Sequence, residues 1–439
     1  MKQSKLSSRI WISIVMFGLF GQIAWVIENM YFNLFLYDTI SGDTNAIALM
    51  VTASAIIATI TTMLMGALSD KVGKRKIFIC LGYVLWGLST LSFGFISTTN
   101  IEAIFPTANA VMIGVVAVIV MDCIMTFFGS SANDSAFNAW VTDITDDINR
   151  PKVEGLLAIL PLFALLLIFG AFDGLTKSDN WPTFFFILGG LVTIGGIVGF
   201  FLINDSHVQK PKGQYWHELI YGFKPSTIKQ HPVLYTTFVA FALFGIATQI
   251  YMPYFIIYIQ QFLGIDNYAL LLGVVILSAS IVSLLLSILV KSTILYKLFY
   301  PSLGVFIIGL VMLFFVRDPF WVGVAGFVMM AGNLVFTTII GAKIRDLTPK
   351  DKVGHFQGIR MIFYVLIPMV IGPFIGSTVI KGSGMTYVNE YNQIKDIPTS
   401  MIFLAAAIMA LLIIIPLYYS LNKIKEIQTN TPIKADETL

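Results

Sequence analysis

The chain is 439 residues long, 57% of them hydrophobic and 12% charged, with a mean hydropathy of +0.84. An ordinary soluble domain carries about twice that charged fraction, which excludes a water-soluble fold of this length. The net charge of +3 is too small to point to nucleic acid, and the two cysteines, Cys80 and Cys123, fall in apolar runs where they act as small hydrophobes and not as a disulfide framework.

Apolar runs of about twenty residues, each long enough to cross roughly 30 Å of hydrocarbon, recur along the whole chain without strand-type alternation. They predict helical spans over 11–37, 45–67, 77–97, 107–132, 153–175 and 182–204, then over 233–263, 268–290, 299–316, 319–342, 356–380 and 399–421. The predicted fold is an all-α membrane protein, with twelve transmembrane helices in two six-helix pseudo-symmetric bundles. The polar start, Met1 to Arg9, leads into the first run with no small-residue cleavage site, so that span is expected to stay in the membrane.

In the first span Gln22, Trp25, Glu28, Asn29, Phe32 and Asn33 fall at spacings of three, four and seven, which places them on one polar and aromatic stripe. Amide, carboxylate and ring together suit a polyhydroxylated ligand, whose apolar face stacks on the rings while its hydroxyls bond the polar groups. Helix packing is the alternative for Trp25 and Phe32. A charge at mid-bilayer costs about 2.5–3.5 kcal/mol on insertion, so Glu28 calls for a cavity, a partner or a function. The second span holds no acid, offering only Thr52, Ser54, Thr59, Thr61 and Thr62.

The loop after the second span reads Gly66-Ala67-Leu68-Ser69-Asp70-Lys71-Val72-Gly73-Lys74-Arg75-Lys76. Gly66 permits close helix approach and Gly73 a tight turn, while Asp70 can pair with arginines or a helix N-terminus between the halves, forming a polar latch that breaks and re-forms. This loop resembles the signature of the major facilitator superfamily, Gly-x-Leu-x-Asp-x-x-Gly followed by basic residues. The resemblance implies the major facilitator fold, with a central cavity lined largely by the first, fourth, seventh and tenth helices and open alternately to each side. The matching loop of the second half, Lys291 to Lys297, lacks the Asp-x-x-Gly pattern, so an asymmetric latch is expected.

The fourth span carries Asp122, Thr126, Gly129 and Asn133 on one face, with Asp134 beside them. Asp122 is the deepest acid. Desolvation at that depth favours a neutral carboxyl, which makes Asp122 a candidate proton carrier and Glu28 and Asp134 further ion-coupling candidates. Burial as the neutral acid, bonded to a neighbouring helix, is the alternative. Asp143 and Arg150 are expected to join Asp70 and Arg75 in the latch. The run from Asn133-Asp134 to Ala139-Trp140, then Asp143-Ile144-Thr145 and Arg150, is similar to the glycoside-pentoside-hexuronide:cation symporters and the related sucrose-proton carriers. Those cation symporters place coupling carboxylates on the second helix, where this chain has none. Pro161 on the fifth span lacks the flanking glycines typical of the superfamily's drug-proton antiporters.

The segment Ala139, Asp143-Ile144-Thr145, Glu154-Gly155 matches Ala342, Asp346-Leu347-Thr348, Gln357-Gly358, since 342−139 and 358−155 both give 203. Such a repeat at the same point of each half fits two halves related by an axis along the membrane normal. The polar stretch 205–232 reads as a linker between an N-terminal bundle (1–204) and a C-terminal bundle (233–421), with a tail over 422–439. In the second half Gln249 and Tyr254 flank Pro253, Asn333 and Thr337 lie on the tenth span, and Tyr364 precedes Pro368 on the eleventh. Of these, Gln249, Tyr254, Asn333 and Tyr364 are candidate solute contacts. His207, His217, His231 and His355 all lie outside the spans, so carboxylates are the expected proton carriers.

Sorting basic residues by loop puts roughly 23 of the 27 on one side and only Lys177, Arg317, Lys381 and Lys395 on the other. The basic side, with both termini, is therefore expected to face the cytoplasm of a cell membrane. The function expected is symport of a sugar, glycoside or similar small polar solute with protons or sodium. No cofactor or metal beyond the coupling ion is expected, the partners are the solute and the bilayer, and a monomer is expected. The alternatives are an exporter or antiporter of amphipathic compounds, and a non-transporting receptor. An enzyme is not expected, since no nucleophile elbow, His-Glu-x-x-His, P-loop or metal cluster occurs.

Overall fold

A computed structural model describes residues 6–146, 149–204, 223–289, 296–349, 353–388 and 393–430. Eleven helices are long and apolar enough to cross a membrane among these residues: α1 (Ser8–Ile40), α2 (Thr44–Val72), α3 (Arg75–Phe95), α4 (Ala110–Ile144), α5 (Lys152–Ala171), α6 (Trp181–Leu202), α7 (Pro232–Phe262), α8 (Tyr268–Leu286), α10 (Pro319–Leu347), α11 (Gly358–Gly382) and α12 (Met401–Ser420). The shorter apolar helix α9 (Phe299–Phe315) completes the expected twelve. Of the expected linker, 205–222 lies outside the described residues, and Pro225–Gln230 forms a short helix ahead of α7.

Capping side chains fix several starts. Asp43 accepts from the Asn45 amide, Asn109 from Met112, Asn180 from Thr183, and Asp318 from Phe320 and Trp321, each taking up an amide that the first turn leaves unpaired. Hydropathy ends the fourth span at 132, whereas α4 continues to Ile144. Its last turns are polar, but neighbours hold them: Asn133 donates to the Tyr83 hydroxyl at 2.6 Å, Ser130 bonds Asp134 at 3.2 Å, and Arg75 reaches Asp143 at 3.1 Å.

In the first half α6 packs on α3, α1 on α5 and α6, and α4 on α2 and α3; in the second α9 packs on α10, α7 on α11 and α12, and α8 on α10. The halves meet along α2 with α11 and along α5 with α8. The internal repeat has a structural counterpart. Thr145 and Thr348 close α4 and α10, and each donates its hydroxyl to the carbonyl four residues back, at 2.8 Å to Val141 and 2.7 Å to Ile344.

Several helices contain wide, π-helical turns: Ile27–Tyr31 and Leu36–Ile40 in α1, Ser130–Phe137 in α4, Tyr258–Phe262 in α7 and Ile362–Leu366 in α11. Between α11 and α12 a hairpin of β1 (Thr386–Val388) and β2 (Ile394–Asp396) lies at the end of the bundle opposite the loop of Asp70. We refer to these as the far end and the basic end.

Candidate functional site

A cavity of about 600 Å³ lies between the halves. Its polar lining comes from Gln22, Trp25, Glu28 and Asn29 of α1, Ser54 of α2, Asp134 of α4, Thr248 and Gln249 of α7, Asn333 and Thr337 of α10, and Tyr364 of α11. The structure thus brings together Gln22, Trp25, Glu28, Asn29, Asp134, Gln249, Asn333 and Tyr364 from the residues singled out in sequence. Ser54 and Thr248 join them, and the contributions of α2 and α11 go beyond the four helices that the family resemblance implied.

The lining is held in place from behind. Trp25 donates its ring N–H to Asn133 at 3.4 Å and leans on the Trp86 ring at 4.9 Å between centroids. Asn29 donates to the Trp25 carbonyl at 2.8 Å. Across the cavity Asn333 donates to the Thr248 hydroxyl at 3.3 Å, and Tyr364 stacks on Phe241 at 4.6 Å.

Glu28 is 7% exposed and its Oε1 accepts from the Thr126 hydroxyl at 2.9 Å, while Oε2 has no partner among the described residues. Asp122 is 1% exposed, and its Oδ1 likewise has no partner there. Asp122 and Asp134 both lie within electrostatic reach of Glu28. Three carboxyl groups on α1 and α4 therefore share one mid-span region, with open acceptor positions that a proton or a small cation can fill. Buried acceptors left open in this way are uncommon in folded proteins.

Four expectations for this cavity need correction. Phe32 does not line it: the wide turn Ile27–Tyr31 holds an extra residue and rotates the next turn of α1 by about 100°. Phe32 consequently stacks on Phe93 of α3 at 3.9 Å. Tyr254 is also absent, because the tight turn Met252–Tyr254 around Pro253 points it at the far end, where its hydroxyl donates to the carbonyls of Pro373 at 2.8 Å and Thr44 at 3.3 Å. Asp122 and Thr126 stand behind the lining: Thr126 reaches the cavity through Glu28, and Asp122 through its side-chain hydrogen bond with Ser54.

At the basic end Arg75, 4% exposed, pairs with Asp70, reaches Asp143 at 3.1 Å and donates to the Ser69 hydroxyl at 2.6 Å. Gly73 closes α2 in the left-handed conformation, φ 70°, which favours glycine. The Gly66 carbonyl accepts from Ser69 at 3.1 Å. This latch differs from expectation in two ways. Among the described residues it ties α2, α3 and α4 within one half, and these bonds lie inside that half. Among the described residues Arg150 donates to the Thr145 hydroxyl at 3.2 Å and to the carbonyls of Thr142 and Thr145, which cap the end of α4, and not to Asp70 or Asp143.

Among the described residues, polar contacts between the halves cluster at the far end, which sequence reading missed. Lys395 of β2, 3% exposed, donates to the carbonyls of Tyr37 and Asp38 at 2.8 Å each. Burial lowers its ammonium below the ordinary lysine value, with Asp38 opposing. Asp396 accepts from the Thr44 amide at 3.1 Å and hydroxyl at 3.0 Å, and its own amide donates to the Gly42 carbonyl at 3.0 Å. Ser377 bonds Thr44 and Asn45, and Lys381 pairs with Asp43 at 2.7 Å. Asp173, buried between α5 and α6, accepts from Tyr268 of the other half, from Tyr31 at 3.2 Å and from Lys177 at 2.9 Å.

One signal for this cluster was available in the sequence. Of the four basic residues placed against the charge bias, Lys381 and Lys395 reach the first half, Lys177 lies over the Tyr268 ring of the second, and Arg317 donates to Ser400 within its own half at 2.8 Å.

The family model described as Major Facilitator Superfamily matches residues 10–333 and 295–437. No curated protein sequence matches significantly. Among solved structures the chain is similar to nucleoside transporter NupG, with a TM-score of 0.68, 12% identity and coverage of 93% of this chain and 98% of that one. It is similar to a bacterial homolog of the human lysosomal transporter Spinster, inward-facing and occupied, with a TM-score of 0.66, 11% identity and coverage of 94% and 97%. The D-xylose-proton symporter gives a TM-score of 0.66 at 14% identity, with coverage of 93% and 97%.

Proposed function

The chain belongs to the major facilitator superfamily of transporters, and on that premise we propose that it carries a small polar solute, a sugar or glycoside first, in symport with protons or sodium. The observation that carries this reading is the cavity of about 600 Å³ lined from both halves, with Glu28 and Asp134 in its wall and Asp122 behind it. Gln22, Asn29, Gln249 and Asn333 supply the amide donors and acceptors that hydroxyl groups need, and Trp25 and Tyr364 supply rings.

The coupling step belongs to Glu28. When a proton or cation occupies the open Oε2 position, the mid-span charge is neutralised and the loaded cavity can change sides without carrying a bare carboxylate past apolar walls. Solute and ion thus favour the same closed state, which is what symport requires. The positive-inside bias supports a cytoplasmic basic end. The Lys395 and Asp173 clusters, which join the halves at the far end, support the reading that this end is closed in the conformation described.

Reconstituted liposomes test the proposal. One pH unit supplies about 1.4 kcal/mol per proton, enough for about tenfold accumulation of a neutral solute. Pentoses, hexoses, glycosides and nucleosides are offered under an imposed pH or sodium gradient. Accumulation under one gradient, with Glu28→Gln reduced to simple equilibration, is the expected outcome. Uptake of a carried solute that ignores both gradients refutes coupling.

A further inference from the structure

A second cavity, of about 290 Å³, adjoins the first and shares Gln22, Trp25, Asn29 and Leu334 with it. Apart from those polar neighbours at its mouth its wall is almost wholly apolar, drawn from α5 and α8 as well as α1, α7 and α10. Four methionines, Met30, Met252, Met329 and Met330, contribute to it. Unbranched thioether side chains reshape around groups of differing outline, which suits an adaptable apolar compartment more than a fixed packing void.

Resting on the proposed reading of the polar cavity, we infer that the solute is a polar molecule bearing an apolar ring or branched alkyl group, and that this group occupies the second compartment. The polar part lies among Glu28, Asn29, Gln249 and Asn333, and Trp25 stands at the junction, its face available to both parts. Size agrees with this assignment: a dry apolar cavity of about 150 Å³ already accepts benzene, so a compartment of about 290 Å³ takes a substituted or fused ring. A bare sugar leaves it empty. Each methylene moved from water into such a site raises affinity about fourfold, so the two-part solute is preferred over its unsubstituted parent.

Gly326 provides the test. A Cβ added there meets only Val275, at 3.5 Å and 3.7 Å, which is ordinary contact, so a methyl group fits at Gly326 and a longer side chain extends from it into the compartment. Binding of D-glucose, phenyl β-D-glucoside, 2-naphthyl β-D-glucoside and 2-naphthol is measured by tryptophan fluorescence on protein in nanodiscs, for the natural chain and for Gly326→Ala and Gly326→Met. The expected result is a preference of at least about tenfold for either aryl glucoside over glucose. That ratio shrinks in Gly326→Ala and falls to about one in Gly326→Met. Equal binding of aryl glucosides and glucose, no binding of any glucoside, or a preference that survives Gly326→Met overturns the inference. So does binding of 2-naphthol as tight as that of its glucoside, which marks the compartment as a lipid or solvent pocket. Failure of the coupling proposal reads out separately, as aryl glucoside bound with the expected preference but transported without regard to either gradient.

Discussion

The two ends of this bundle use charge differently. At the basic end Arg75 gathers Asp70, Asp143 and Ser69, all within the first half. At the far end Lys395, Asp396 and Tyr268 of the second half reach Tyr37, Asp38, Thr44 and Asp173 of the first. A bond inside one half survives when the halves rock apart, so it sets stability alone. A bond between halves is made in one state and lost in the other, so it also sets which side is open. The superfamily's signature loop, in this conformation, braces one half, and the far-end cluster is expected to act as the conformational lock.

The largest expected effect comes from Asp173→Ala, which strips a buried acceptor from Tyr31, Tyr268 and Lys177. Removing one partner of a buried charged set costs about 3–5 kcal/mol, to be seen as a fall in unfolding temperature; the third-exposed Lys177 contributes least of it. Tyr268→Phe isolates the part that crosses between halves. A hydrogen bond to a charged group is worth about 1.5–3 kcal/mol, or roughly ten- to a hundredfold in the ratio of closed to open far ends. Spin-label distances across the far end read that ratio, and an unchanged distance distribution in Tyr268→Phe removes the lock.

Of similar size to Tyr268→Phe is Arg75→Ala. The side chain is buried, but Asp70 and Asp143 are 32% and 26% exposed and regain water, so the loss is put at about 2–3 kcal/mol, below the full penalty for a buried pair. The comparison is sharpened if stability falls while far-end distances stay unchanged. It breaks if Arg75→Ala shifts the open-to-closed ratio as Tyr268→Phe does.

The smallest effect expected is that of Gly42→Ala. A Cβ at Gly42 falls 2.7 Å from the Lys395 Cα, so the hairpin cannot seat fully. Overpacking of this kind costs about 1–3 kcal/mol, and all of it falls on the state with the far end closed. Cysteine labelling at the far end is expected to speed up, with the unfolding temperature of the open state unaltered.

Much of the architecture was legible in the sequence, because span length, breakers and loop charge each report on the bilayer independently. The cavity was legible as far as Asn29. A regular helical period carries Phe32 onto the same face, and only the wide turn at Ile27–Tyr31, which no residue type announces, takes it off. Tyr254 was misplaced for a related reason, since the effect of Pro253 on the turn around it depends on its neighbours. The end of α4 was missed because hydropathy counts Asn133, Asp134 and Asp143 as polar without knowing that Tyr83, Ser130 and Arg75 satisfy them. Arg150 sits where a latch arginine is wanted, yet carbonyls at the end of α4 claim it. Contacts between halves pair residues hundreds of positions apart, and a single sequence gives no register for them. Only the misfit of Lys177, Lys381 and Lys395 with the charge bias hinted at them; Arg317, equally misfit, bonds within its own half.

The wide turns in α1, α4 and α11 hold Glu28, Asp134 and Tyr364 respectively. Each is a surplus residue stored in the winding, and such a surplus can be handed along a helix by re-pairing a few backbone bonds, like a ruck moved along a carpet. A helix that passes its ruck one turn onward swivels the side chains in between by about 100° while its ends stay where they are. Were the wide turns to move by one turn, Glu28 and Asp134 would exchange cavity for helix wall by local swivelling, without rocking of the halves.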